Sequence, residues 1–123
     1  MKILHTADWH LDAPMAGLGE ENAQELRRQM RKLPEKITRL CMAENCDLLI
    51  IDDLGTEFST NYTTTQIYNI FNSRILRSKP VIINTNLTIK ELEEAYSQRF
   101  VSRIMGNCDK LDFYGKDIRP RKA

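Results

Sequence analysis

The longest strand-like hydrophobic run of the chain, residues 48–51, is followed directly by two carboxylates and a turn. The run reads Leu-Leu-Ile-Ile, Asp52 and Asp53 follow it, and Gly55 allows the chain to change direction. A short continuous apolar run is typical of a parallel strand that is buried on both faces. Ligands of open α/β sheets bind at the carboxyl ends of the strands. The pattern therefore predicts that both acids lie at a ligand-binding edge.

The segments before this run predict a strand, a loop and one or two helices. The first strand ends near Asp8, and residues 9–19 carry one proline and two glycines, which indicates a loop. Across residues 22–45 the apolar positions recur in steps of three and four, which predicts an amphipathic helix. Pro34 lies inside this pattern. It must kink the helix or open a second one, because proline lacks an amide donor and clashes with the preceding turn.

The segments after the central run predict a helix, a strand and two shorter helices. Residues 59–78 read as a helix with Ser or Thr caps at its start, and residues 80–86, PVIINTN, read as a strand with its proline at the end. Thr88 and Glu91 form a capping box, so a short helix begins there. The last helix covers residues 97–105. Gly106 suits its C-terminal cap.

A final strand is predicted over residues 110–114, so the sheet has four strands. Strands that alternate with helices indicate a mainly parallel sheet covered on both faces, a three-layer α/β sandwich. With 123 residues, the chain is expected to form a single α/β domain over residues 1–123.

Composition excludes few classes of function. The chain has 18 basic and 17 acidic residues and a net charge of +1, so no global electrostatic footprint for nucleic acid is present. No apolar run approaches the length of a membrane span, and the N-terminus lacks a signal-peptide profile, so we expect a cytoplasmic protein without a membrane partner. Cys41, Cys46 and Cys108 lack CxxC spacing and are expected to be reduced thiols.

The opening residues, MKILHTADWHLD, resemble the start of the SbcD-type DNA-repair nucleases, which are calcineurin-like metallophosphoesterases. The resemblance covers residues 1 to about 49 and implies that Asp8 and His10 ligate a metal, with Mn²⁺ as a candidate ion. Their spacing at a strand end would point both side chains the same way. The family also requires further acids and histidines, whereas His5 and His10 are the two histidines of this chain. A complete two-metal centre is therefore not expected.

From about residue 47 to the C-terminus, the motifs LLIIDD, DLGTE, VIINTN and RFVSRI occur in the order found in helicase loaders. This part resembles the DnaC/DnaI-type AAA+ ATPases. The resemblance implies a Walker B strand in which Asp52 holds Mg²⁺ and Asp53 polarises the attacking water. Asn86 would end the sensor-1 strand and contact the γ-phosphate of ATP. Arg103, or Arg99 as the alternative, would be the arginine finger that acts on a neighbouring subunit.

The loader resemblance lacks the loop that binds phosphate. No G-x-x-x-x-G-K-[ST] sequence precedes the acids, and residues 9–19 stand where that loop would follow the first strand. The chain thus resembles a hybrid, with a phosphoesterase-like β-α unit over residues 1–46 and loader-like β-α units over residues 47–123. A natural recombinant, an engineered chimera and an assembly artefact all remain open. If the loader arrangement is kept, the first strand lies centrally in the sheet.

Three hypotheses for function follow. The first is a degenerate loader-type, DNA-replication ATP-binding domain that binds Mg²⁺ and ATP weakly and does not turn ATP over. The second is a metallophosphoesterase-like or exonuclease-like metal-binding fragment. The third is a folded assembly module without enzymatic function, which forms homo-oligomers through the helix of Arg99 and Arg103, or a folded domain with no selected function. A replicative helicase or DNA is implied as a partner by the family resemblance alone.

Overall fold

Three parallel strands form the sheet of this protein. A computed structural model describes residues 1–55 and 60–116. The strands are β1 (Ile3–Ala7), β2 (Leu48–Asp52) and β3 (Val81–Ile83). Their order in the sheet is β1-β2-β3, and both pairings are parallel. Ile3 lies opposite Leu48, and Leu49 lies opposite Val81. The central strand is therefore β2, which carries Asp52 at its carboxyl end.

Among the described residues, five helices pack on one side of this sheet. They are α1 (Glu20–Met30), α2 (Leu33–Ala43), α3 (Asn61–Leu76), α4 (Ile89–Ala95) and α5 (Gln98–Asn107). The sequence left open whether Pro34 kinks one helix or begins a second one. Pro34 lies in the first turn of α2, so the second alternative is confirmed. The capping box of α4 is confirmed, because Thr88 accepts a hydrogen bond from Glu91 N and the Glu91 carboxylate accepts one from Thr88 N. Thr60 caps α3 and Ser97 caps α5.

The register of the strands shows which residues lie on each face of the sheet. Side chains opposite one another in register share a face of the sheet. We call one side the covered face, formed by Leu4, Thr6, Leu49, Ile51, Val81 and Ile83, and the other the open face, formed by Ile3, His5, Leu48, Ile50 and Ile82. Leu49 and Ile51 are 0% and 2% exposed and belong to the hydrophobic core. By contrast, Ile3 and Ile82 are 48% and 51% exposed.

The core lies between the covered face and the helices. Ile67, Ile70 and Phe71 of α3 are buried there, and Phe100 of α5 packs edge-on against the Phe71 ring with the ring centroids 6.0 Å apart. Trp9, from the loop after β1, is buried in the same core. A single core on one side of the sheet makes two layers rather than the three that the sequence predicted, within residues 1–55 and 60–116.

Arg74 joins the amino ends of the strands to α3. This arginine is 5% exposed, and its guanidinium donates hydrogen bonds to the carbonyl oxygens of Cys46, Asp47 and Pro80 over 3.1, 3.2 and 3.0 Å. At the same end, the Lys2 backbone N–H donates to Asp47 Oδ2 over 2.7 Å. This hydrogen bond holds the pKa of Asp47 below its ordinary value. The amino edge is thus fixed by polar contacts.

Four sequence predictions about the elements are wrong. Residues 110–114 form no strand and lie exposed, so the described part of the chain has three strands. The first strand lies at an edge rather than centrally, because β2 takes a partner on each side. The strand predicted over residues 80–86 ends at Ile83. Gly106 lies within α5, which ends one residue later and has Cys108 as its C-cap. The predicted helix start at residue 59 lies outside the described residues.

Candidate functional site

The carboxyl ends of β1 and β2 lie side by side, as the sequence predicted for the acids that follow them. Ala7 pairs with Asp52 at the last position of the register, so the chain leaves both strands at the same level. Asp8 and Asp53 come next, with φ angles of 50° and 53°. Aspartate tolerates this left-handed backbone better than most residues because its short side chain bonds locally. Both acids therefore begin sharp turns at one edge.

Asp52 presents a partly exposed carboxylate at this edge. Its side chain is 31% exposed, and Oδ1 accepts a hydrogen bond from the Asp53 backbone N–H over 3.1 Å. His5 Nε2 lies 3.4 Å from Asp52 Oδ2, and the imidazole is 58% exposed. The sequence interpretation gave His5 no role. The signal that identifies it is the strand register, because His5 lies two residues before Ala7, the partner of Asp52, and so on the same face of the sheet.

The turn after Asp53 is fastened to the chain that follows β3. Leu54 donates its backbone N–H to the Asn84 carbonyl over 3.0 Å, and the Thr85 hydroxyl donates to the Leu54 carbonyl over 2.6 Å. Gly55 has a φ of 110°, and a Cβ there would lie 2.6 Å from Leu87 Cδ1. A side chain at position 55 would therefore meet both strain and a clash. These contacts fix the backbone that follows Asp53.

Asn86 lies outside the strand that was expected to end with it. The strand β3 ends at Ile83, and the backbone N–H of Asn84 makes the last bond to the Ile51 carbonyl of β2, over 3.0 Å. Asn86 occupies an exposed bend two residues later. Its role as sensor of the γ-phosphate stays a prediction.

Asp8 and His10 do not have the geometry assumed for two ligands of one ion. Both follow the end of β1 at Ala7, both are exposed, and both have left-handed backbones, with φ of 50° and 48°. The strand alternation that would point them the same way is therefore absent. Within residues 1–55 and 60–116, no group of three or more His, Cys, Asp or Glu side chains is placed to hold a metal ion. Binding by these two residues alone stays a prediction.

Asp12 makes structural contacts across the same loop. Its side chain is 7% exposed, and it accepts hydrogen bonds from Arg31 Nε and the Thr60 hydroxyl, each over 2.7 Å. Burial alone raises the pKa of Asp12, but the hydrogen bonds from Arg31, Thr60 and Thr63 and the Arg31 charge outweigh it, so the pKa lies below its ordinary value. This carboxylate therefore ties the loop to α3.

The two candidate arginine fingers lie on α5 and differ in exposure. Arg99 is exposed, and its guanidinium stacks over the Tyr68 ring, 5.5 Å from the ring centroid. Arg103 is half-buried, and its Nε is shielded from solvent without a hydrogen-bond partner in the described part of the chain. Neither is shown to act on a neighbouring subunit, so both assignments stay predictions.

Comparison with known proteins gives three similar chains. No protein family model matches this sequence. Phage-like element PBSX protein XkdC of Bacillus subtilis (strain 168) is 32% identical over 77 residues, which are 58% of this chain and 28% of that protein. AMPPCP-bound DnaA from Aquifex aeolicus is 21% identical with a TM-score of 0.51, and the match covers 87% of this chain and 30% of DnaA. A DNA replication initiation factor is 21% identical with a TM-score of 0.49, over 86% of this chain and 29% of that one.

The DnaA match shows a shared fold. At 21% identity the match shows the fold alone, so the loader resemblance and the phosphoesterase resemblance of the first residues both stay predictions. This chain spans less than a third of each similar protein. A search of the described residues finds no helix that is long and apolar enough to cross a membrane.

Proposed function

We propose that this chain is a degenerate AAA+ domain of the helicase-loader type, which binds Mg²⁺ and, weakly, Mg-ATP at the carboxyl edge of its sheet without turning ATP over. One observation carries the proposal. The partly exposed carboxylate of Asp52 ends the central strand, and Asp53 follows it in a turn fastened to residues 84–87. The edge is thus built where a parallel sheet binds its ligands.

The donor set fits a magnesium ion. Mg²⁺ is commonly held by one or two carboxylates while several of its water ligands remain. Asp52 supplies such a carboxylate, and Asp53 is the adjacent acid. His5 Nε2 lies 3.4 Å from Asp52 Oδ2, so the imidazole is a neighbour of the proposed ion.

The same edge lacks the groups that usually hold the phosphates of a nucleotide. Phosphate binding in this type of domain requires backbone amides and a lysine, and the sequence has no G-K-[ST] motif. Two arginines that could approach from the neighbouring segment are already engaged, Arg27 with the Pro14 carbonyl and Arg31 with Asp12. Catalysis of phosphoryl transfer depends on positioning and charge stabilisation. We therefore propose weak nucleotide binding and no turnover.

The replication context comes from similar proteins. The DnaA structure that shares this fold contains AMPPCP, an ATP analogue, which supports a nucleotide rather than another ligand at this edge. In the proposed function, Asp53, Asn86 and Arg103 are remnants of a catalytic set. The partners we propose are a replicative helicase or DNA.

The test is a thermal-melt titration of the full chain with Mg²⁺, with Mn²⁺ and with Mg-ATP. A ligand that binds only the folded state raises the melting temperature once its concentration passes its dissociation constant. We expect a shift with Mg²⁺ that increases with Mg-ATP and disappears in Asp52→Asn. The matched control is Asp109→Asn, which removes an exposed aspartate at the far end of α5 and should retain the shift.

Other outcomes contradict the proposal. If none of the three ligands shifts the melting temperature, the proposed nucleotide function is wrong, and the assembly module becomes the better hypothesis. A shift with Mn²⁺ that survives Asp52→Asn and disappears in His10→Ala would favour the metal-binding phosphoesterase fragment. Measurable ATP hydrolysis that depends on Asp53 would contradict the absence of turnover.

A further inference from the structure

Helix α2 ends in a turn that brings two cysteines together. The C-cap is Glu44, and Asn45 follows it with a left-handed backbone, at a φ of 49°. The Asn45 N–H donates to the Met42 carbonyl over 3.2 Å, and the Cys46 N–H donates to the Cys41 carbonyl over 2.9 Å. These hydrogen bonds define a Schellman motif, in which the residue three positions before the C-cap commonly contacts the residue two positions after it. In this chain both of those residues are cysteines.

The backbone of this turn places the two cysteines within reach of a disulfide bond. The 2.9 Å hydrogen bond joins Cys41 O to Cys46 N, so standard bond lengths hold the two Cα atoms less than about 7 Å apart. Cysteines can be bridged without moving the backbone only when their Cα atoms are within about 7 Å of each other. Both residues also line one cavity of about 60 Å³ beside α3, which leaves space for their side chains to rotate. The turn therefore meets the distance condition for a bridge, although both thiols are free in this structure.

The two thiols are buried and influence each other. Cys41 is 7% exposed and Cys46 is 5% exposed. Burial raises the pKa of the Cys41 thiol, and its interaction with Cys46 raises it further, while the Arg74 charge acts in the opposite direction. A thiol is a nucleophile only in its thiolate form. Reaction of this pair is therefore slow and favours an oxidant small enough to enter the cavity.

We propose that Cys41 and Cys46 are a reversible oxidation site, at which hydrogen peroxide converts the two thiols into an intrachain disulfide that locks the end of α2. One thiolate attacks the O–O bond of the peroxide, which forms a sulfenic acid and, with one proton, releases water. The second thiol then displaces the sulfenic oxygen as a second water, and the S–S bond forms. The two thiols together lose two electrons and two protons, and the peroxide is reduced to two waters. A thiol reductant reverses the reaction by exchange.

The bridge would fasten α2 to the amino end of the central strand. The Cys46 carbonyl accepts a hydrogen bond from Arg74 of α3 over 3.1 Å, two residues before β2 begins. A covalent link from Cys41 to Cys46 thus joins the last turn of α2 to a point that α3 already holds. Such a link also restricts the unfolded chain, so the oxidised form should be the more stable one. Asp52 lies at the opposite end of β2, so this inference does not depend on the proposed nucleotide function.

The first test treats reduced, folded protein with dilute hydrogen peroxide and stops the reaction with catalase. Unfolding, alkylation and mass spectrometry then identify which of the three cysteines of the chain are still thiols. We expect Cys41 and Cys46 to become resistant to alkylation together, and a dithiol reductant to restore both. The melting temperature should increase by several degrees on oxidation and return on reduction. The matched control Cys108→Ser changes the half-buried C-cap of α5 and should retain both effects.

The second test separates an effect of the fold from mere closeness in sequence. Folded chain and chain in concentrated urea are each brought to equilibrium in a glutathione redox buffer. A disulfide that stabilises the fold must be favoured by the fold to the same extent, because the two equilibria are linked. We expect the equilibrium constant for oxidation to be at least tenfold larger in the folded chain, which corresponds to a reduction potential lower by about 30 mV. Both tests use the wild-type chain, so neither depends on a variant that fails to fold.

Three results would overturn the proposal. They are peroxide that oxidises Cys108 while Cys41 and Cys46 both remain open to alkylation, a sulfinic acid on one member of the pair with the other left as a thiol, and an oxidation equilibrium that is no more favourable in the folded chain than in urea. All readouts concern thiols and redox equilibria in the absence of Mg²⁺ and ATP. Failure of this proposal and failure of the proposed nucleotide function are therefore distinguishable.

Discussion

The covered and open faces of the sheet have nearly the same amino-acid composition along β2 and different surroundings. Within the run Leu-Leu-Ile-Ile, Leu49 and Ile51 are 0% and 2% exposed, while Leu48 and Ile50 are only half-buried. A continuous apolar run is therefore not evidence that the same chain covers both faces. It shows that both faces are suited to burial, and the described residues supply helices for one of them.

The difference follows from where the helices direct their large side chains. Phe71, Ile67 and Phe100 all meet in the core on the covered side. On the open side, His5 and Asp52 approach each other at the carboxyl edge and Ile3 and Ile82 remain half-exposed. The comparison predicts that equivalent substitutions in neighbouring residues have very different effects on stability.

The largest expected effect separates two adjacent leucines. Leu49→Ala should lower the free energy of unfolding by about 2–5 kcal/mol, because it leaves a cavity in a packed core. Leu48→Ala removes the same atoms from the open face and should cost about 1 kcal/mol or less. Urea denaturation of dilute protein measures both. Equal losses of unfolding free energy in the two variants would mean that Leu48 is as well covered in solution as Leu49, and would contradict the difference between the two faces.

A second substitution tests the polar contribution on the covered side. Arg74→Met keeps much of the side-chain volume and removes the guanidinium that donates to the carbonyls of Cys46, Asp47 and Pro80. The Pro80 carbonyl retains the hydrogen bond from Leu49 N. We expect a loss of roughly 2–3 kcal/mol in unfolding free energy. Arg77→Met, in the exposed residue that follows α3, is the matched control and should change little. A tolerated Arg74→Met would mean that water replaces the guanidinium at that edge.

The third prediction concerns pH and the loop on the covered side. The pKa of Asp12 is lowered in the folded state, so the ionised carboxylate stabilises the fold above the unfolded value near 3.8, and this contribution is lost as the pH falls through the lower folded value. Asp12→Asn should cost about 1–2 kcal/mol at neutral pH. The difference from wild type should shrink below pH 3.8, which a series of denaturation curves would show. A difference that is constant with pH would contradict the ionic contribution.

The smallest effect is expected on the open face. Ile3→Thr keeps the β-branched shape and removes apolar surface from a side chain that is 48% exposed. The free energy of unfolding of dilute protein should change by no more than about 0.5 kcal/mol. A thermal melt at low concentration measures it. A loss comparable with that of Leu49→Ala would remove the distinction between the faces.

Local signals in the sequence predicted the individual helices and strands well. They predicted poorly which of these elements lie next to each other in the fold. Thr88 with Glu91, Pro34 and the acids after the central run are features whose effect is decided within a few residues. The number of strands, their order and the cover on each face depend on pairings between residues far apart, such as Ala7 with Asp52. A periodic pattern carries no information about those partners.

The candidate site shows the same division. Asp52 and Asp53 lie at the predicted edge, because strand alternation and a turn suffice to place them. The strand backbone assumed for Asp8 and His10 is absent, since β1 ends at Ala7 and both residues adopt left-handed backbones that no residue pattern indicated. Their binding of an ion stays a prediction. His5 was identified only by the register. Arg74 could have been noticed in sequence as a charge among the core-facing positions of α3.

The three carbonyls bound by Arg74 come from segments that are more than 30 residues apart, Cys46 and Asp47 before β2 and Pro80 before β3. One helical side chain thus couples the attachment of a three-residue edge strand to the presence of α3. The last turn of α3 and β3 should open and close as one cooperative unit in native-state exchange. A substitution that loosens β3 should then also loosen the C-terminal turn of that helix, although it changes only the strand.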